Sequence, residues 1–157
     1  MNVLVTGGAG FIGGTLAAEL LDAGHSVTVL DNLSTGTESR VPAGADFVEA
    51  DVKDRDSLAD ILAADEYDRV YHLAGNVGVR TQNTDRDRDV QENIIGTHNL
   101  LEAMHVNGVD DLVFASSSTV YGDADTTPTP EDYAPKQPVS LYSASKLSCE
   151  KLISVYT

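Results

Sequence analysis

Apolar residues recur along the chain in short runs, each closed by glycine or polar residues. Val3-Leu4-Val5 opens the series, and similar runs follow at 26–30, 46–50, 69–73 and 112–115. Their length and their Val, Leu, Phe and Tyr content predict five strands. Between them the apolar positions change period. Leu16, Ala17, Leu20 and Leu21, then Leu58, Ile61 and Leu62, then Val90, Ile94, Leu101 and Met104 fall on one face of a helix. The last of these predicts a long helix over about 85–106, with Gly108 as its terminator. Asp54 or Asp56 is placed to cap the helix that carries Leu58. Residues 32–44 are polar and turn-rich, and Pro128, Pro130, Pro135 and Pro138 exclude regular structure from the stretch that holds them. From Leu141 the pattern is helical to the end. Strands alternating with helices predict an α/β fold, a parallel sheet doubly wound with helices on both faces. No internal repeat is visible.

The first strand runs into Gly7-Gly8-Ala9-Gly10-Phe11-Ile12-Gly13, and a helix pattern begins directly after it. Gly8-x-Gly10-x-x-Gly13 in a strand–turn–helix context is the dinucleotide-binding spacing of a Rossmann-type sheet. Side chains there would hold the backbone away from a pyrophosphate, which the helix N-terminus attracts. The second strand ends in Asp31, eighteen residues beyond Gly13. An acid at this place accepts hydrogen bonds from ribose hydroxyls and repels a 2′-phosphate. Asn32 and Leu33 follow it, with no Arg, so NAD is favoured over NADP. The glycine turn, Asp31, Asp51, Gly75 and Ser117 all fall at strand ends, where ligands of such sheets bind.

Tyr142 and Lys146 are four residues apart on the last predicted helix and share a face. An ammonium beside a phenol favours the charged phenolate. Such a pair can take a proton from a substrate hydroxyl and return it. Ser117, at the end of the fifth strand, can hydrogen-bond the same oxygen.

Composition narrows the partners. The chain has 157 residues, enough for one domain with a real core, and a formal net charge of −15. The acids are scattered, and Lys occurs only at positions 53, 136, 146 and 151. Such a surface repels nucleic acid and anionic membranes. It suits a salt-rich, halophilic cytoplasm in which screening relieves self-repulsion. Cys149 is alone, which excludes a disulfide framework or zinc site and leaves helix packing as its expected role. His72 is expected to pack at a strand end, and His25, His98 and His105 lack metal-ligand spacing, so no metal is expected. The N-terminus reads as a strand without a signal segment. No apolar run approaches the roughly 20 residues of a membrane span. A soluble cytoplasmic protein is expected.

These motifs together resemble the extended short-chain dehydrogenase/reductases of the NAD-dependent epimerase/dehydratase family, and within it the nucleotide-sugar epimerases of the UDP-glucose 4-epimerase type. The residues that carry the likeness are 6–13, Asp31-Asn32-Leu33-Ser34-Thr35-Gly36, His72-Leu73-Ala74-Gly75, Asn93-Ile94-Ile95-Gly96-Thr97, 116–122 and Tyr142-x-x-x-Lys146. The resemblance implies that Gly7, Gly10, Phe11, Ile12 and Gly13 line the pyrophosphate. It assigns Asp31, Asn32 and Ser34 to the adenosine ribose and Asp51 with Val52 to the adenine. Leu73, Ala74 and Gly75 would pass the middle of the cofactor, with Asn93 near its nicotinamide half. Tyr142, Lys146 and Ser117 would be catalytic, and Tyr142 and Lys146 would also touch the nicotinamide end. Related dehydratases carry an acid pair where this chain has Ser118 and Thr119, which favours epimerisation through a 4-keto sugar. Val77 stands where some epimerases have a Lys.

Members of the family are longer. The expectation is therefore an incomplete NAD-binding domain over 1–157, truncated before the last strands, with the substrate domain absent from this chain. A UDP-sugar is the implied substrate of the intact enzyme. A cofactor-binding fragment without turnover, or a dehydratase or reductase of the same family, is the alternative. The helices at 85–106 and 141–157 resemble the pair through which relatives form a homodimer.

Overall fold

The five apolar runs pair in parallel in the computed structural model, which describes residues 1–76 and 87–156. The strands are β1 (Asn2–Thr6), β2 (Ser26–Asp31), β3 (Asp46–Glu49), β4 (Arg69–His72) and β5 (Leu112–Phe114). Their order across the sheet is β3-β2-β1-β4-β5. β1 is central, with Val3 opposite Val27 on one side and Arg69 on the other. The chain builds outward on one side of β1 and then crosses to the other. That reversal puts the ligand crevice of an open α/β sheet beyond the carboxyl ends of β1 and β4.

Alternation along β1 sends successive side chains to opposite faces. Val3 and Val5 pack with Val29 and with Ala17 and Leu20 of α1 (Phe11–Asp22). Leu4 faces the other way, into a core with Leu30 and Val70 that is closed by two further helices. These are α2 (Arg55–Ala64), which contributes Leu58 and Leu62, and α3 (Gly96–Asn107), which contributes Leu100 and Met104. Asp54, not Asp56, caps α2: its carboxylate accepts from Ser57 N at 3.2 Å and Ser57 Oγ at 2.7 Å. The predicted long helix contains a π-helical stretch, Asp89–Ile95, that leads into α3, and Gly108 takes the C-cap position. Asp85 and Val77 lie outside the described residues. The final helix, α4, spans Leu141–Tyr156. Among the described residues no helix is long and apolar enough to cross a membrane.

Candidate functional site

The turn between β1 and α1 is packed too closely for side chains. Gly7 has φ +73°, and a Cβ on it would stand 2.6 Å from Ala74 N; a Cβ on Gly13 would stand 2.2 Å from Gly7 O. The turn thus lies directly against the end of β4. α1 starts after Gly10 with no side-chain cap and no acid in its first turn. Its first N–H groups are left for an anion, which the helix dipole favours. Phe11 and Ile12 beside them are 80% and 67% exposed, large apolar side chains at the rim of a cleft.

At the neighbouring strand end Asp31 is 8% exposed. Its Oδ2 accepts from Ala9 N at 3.0 Å and its Oδ1 from Leu33 N at 2.8 Å. A carboxylate has about four lone-pair sites, so two backbone donors leave capacity for ribose hydroxyls. Asn32 Nδ2 donates to Asp51 Oδ2 at 3.0 Å, and Lys53 N donates to Asp51 Oδ1 at 2.8 Å. Burial pushes the Asp51 carboxyl upward, but the Lys53 amide, Asn32 and the Lys53 ammonium outweigh it and hold it below its ordinary value. Ser34 N is anchored on Asn32 Oδ1 at 3.0 Å. Asn99 of α3 fixes the next residue, donating to Val52 O at 3.3 Å.

Across the cleft, α4 brings Tyr142 and Lys146 inward; both are buried. Lys146 Nζ donates to Ala115 O at 3.1 Å and lies 4.8 Å above the centre of the Phe114 ring. Burial draws its pKa below the usual lysine value. Asn93 joins this helix to the end of β4. Its Oδ1 accepts from Asn76 N at 2.8 Å, and its Nδ2 donates to Ser145 Oγ at 2.8 Å. Asn93 is itself 1% exposed, so it sits behind the wall of the cleft.

His72 does more than pack. It is wholly buried, with Nδ1 2.7 Å from Thr6 Oγ1 and Nε2 3.0 Å from Thr97 Oγ1. Thr6 Oγ1 in turn accepts from Ala74 N at 3.3 Å, which ties the ring to the cleft wall. Burial, with help from the Lys146 ammonium, pushes the imidazole down to about 3, so the ring is neutral.

All the residues expected at the site except Asn93 and Ser117 line one cavity of about 450 Å³. Ser117 is next to the lining Ser116, and its Oγ accepts from Thr119 N at 3.3 Å. The cavity also takes in Arg40 and Glu92, which no sequence signal marks. Arg40 arrives because Thr37 N bonds to Ala9 O at 3.0 Å and turns the polar loop back over α1. The cleft fits a dinucleotide: an uncapped helix start stands between a carboxylate pair and a buried Tyr and Lys.

Residues 3–157 match the NAD dependent epimerase/dehydratase family. The chain is 40% identical over 156 residues to UDP-glucose 4-epimerase of Corynebacterium glutamicum, covering 99% of this chain and 46% of that protein. The UDP-glucose 4-epimerase of Thermus thermophilus, solved in complex with NAD, is 40% identical and superposes with a TM-score of 0.94 over 99% of this chain and 50% of that one. The enzyme of Thermotoga maritima, solved with UDP-glucose, is 36% identical with a TM-score of 0.95 over 99% of this chain and 51% of that one. The chain spans about half the length of the curated relatives it matches.

Proposed function

The chain belongs to the NAD dependent epimerase/dehydratase family, and from that membership we propose that it carries the redox half of a nucleotide-sugar 4-epimerase acting on a UDP-sugar. The observation that supports this most is the single cavity that joins the glycine turn and Asp31 at one end to Tyr142 and Lys146 at the other. Bound NAD supplies a hydride acceptor and, on return, a hydride donor. Asp31, Asn32 and Ser34 hold the adenosine ribose, Asp51 and Val52 flank the adenine, and the uncapped start of α1 meets the pyrophosphate. Tyr142 takes the proton of the sugar 4-hydroxyl and gives it back, next to the Lys146 ammonium. Ser117 donates to the oxygen that becomes a carbonyl. Once the keto sugar has turned, return of the proton by Tyr142 would complete the change of configuration. Ser118 and Thr119 offer no carboxylic acid for expelling a hydroxyl, which favours epimerisation over dehydration.

A second reading, a cofactor-binding unit without turnover, needs only the glycine turn, Asp31 and Asp51 that line the adenosine end of the cavity. NAD titration and interconversion of UDP-glucose and UDP-galactose, measured on the same purified chain, separate the two. Binding with turnover supports the epimerase. Binding alone leaves the second reading, and no binding ends both.

Two further results follow from this reading. Asp31→Ala is expected to weaken NAD by about 10- to 100-fold, the loss of charge-assisted hydrogen bonds, and to narrow the preference over NADP. Equal discrimination in variant and parent would remove Asp31 from the ribose. The outer faces of α3 and α4 leave Val106 77% and Val155 80% exposed, apolar surface suited to a second copy of the chain. A homodimer is expected by sedimentation, and a monomer at micromolar concentration would disprove it.

A further inference from the structure

Helix α4 grips the reactive wall of the cleft at two points, one helical turn apart. Lys146 Nζ holds Ala115 O at 3.1 Å, and Glu150 Oε1 accepts from Ser116 Oγ at 2.6 Å. The second oxygen, Oε2, takes Lys136 Nζ at 2.7 Å. That ammonium also lies 5.2 Å above the centre of the Tyr121 ring. One carboxylate thereby joins the helix, the end of β5 and the proline-rich loop. The pair is sheltered, with the Lys136 and Glu150 side chains 28% and 25% exposed. Charge-assisted bonds of this kind are short and directional, so they fix position as well as hold it.

Ser116 lines the cleft with Tyr142 and Lys146, and Ser117 follows it directly. We propose that Glu150 is a positioning residue: it fixes the Ser116–Ser117 segment against α4 and so sets where the Ser117 hydroxyl stands relative to Tyr142 and Lys146. This rests on the reading of the cleft's reactive end given above and deepens it. Without the carboxylate, Ser116 loses its acceptor and the loop loses its anchor at Lys136. The adenosine end, held through Asp31, Asp51 and Asn99, is untouched.

Hydrogen exchange read by mass spectrometry tests this on the full chain. In Glu150→Ala, a change that keeps helix propensity high, peptides over 115–121 and 133–138 should exchange about tenfold faster while those of β1 and α1 match the parent. Glu150→Gln keeps an oxygen for Ser116 but breaks the ion pair. It should restore slow exchange over 115–121 and leave 133–138 fast. The variant Glu150→Ala should also lose about fivefold in NAD affinity and none for ADP, which lacks both the second ribose and the nicotinamide that reach this wall. Parent-like exchange over 115–121 in Glu150→Ala, or equal losses for NAD and ADP, overturns the positioning role. If the parent binds NAD no more tightly than ADP, the reading of the reactive end fails instead. The exchange data then still decide what Glu150 holds.

Discussion

Tyr142→Phe is expected to lower the proposed epimerase turnover by about 10²–10⁴-fold, the usual worth of a positioned general acid–base group. The substitution removes one oxygen and keeps the ring, so the buried place of residue 142 on α4 stays filled. Asn93, Ser145 and Lys146 hold the helix by contacts that do not involve the phenol. NAD affinity should therefore change by no more than about threefold. Initial rates with a UDP-sugar, set beside a calorimetric NAD titration, check both halves of the expectation. Parent-like turnover would show that another group moves the proton, and the proposed chemistry would fall with it.

Lowering the pH from about 6.5 to about 4 is expected to cost about 3 kcal/mol of stability through His72 alone. The cause is burial of the ring first and the Lys146 ammonium second; its folded value is about 3 against 6.5 in the unfolded chain. Between those values the unfolded chain binds the proton and the folded one does not. Acid therefore favours unfolding: the stability is complete above about pH 6.5 and drains away as the pH falls toward 3. Asp51 and Glu150 are depressed below carboxylate values of 3.8 and 4.5, so their losses begin at lower pH. Against a domain stability of about 5–15 kcal/mol the His72 effect is large. Denaturant unfolding across this range, in the parent and in His72→Phe, measures it. The variant leaves the Thr6 and Thr97 hydroxyls without their ring partner and starts less stable, but its slope with pH should be flatter. An unchanged slope would mean that His72 is not the group being titrated.

The sheet was legible because its evidence is local. Val3 and Val5 face one core and Leu4 the other, a period of two that the side-chain order alone dictates. The cap of α2 was legible only as a choice between Asp54 and Asp56, and the bond from Ser57 N decides for Asp54. The π-helical winding of Asp89–Ile95 was not legible, since apolar spacing at Val90 and Ile94 reads as an ordinary helix. Family, fold and the position of the glycine turn likewise follow from short spacings that survive any detail of packing.

By itself, then, the order of residues determined an α/β sheet, a dinucleotide turn, and a Tyr and Lys on one helical face. Only the folded chain decided that Arg40 and Glu92 share the cleft, that His72 is bonded at both nitrogens, and that Asn93 stands behind the wall while Ser116 stands at its surface. The physical reason is range. Helix faces, strand alternation and caps are settled by neighbours within a turn or a pleat. Glu150 and Ser116 lie 34 residues apart and His72 and Thr6 66, and they meet only when the sheet is assembled.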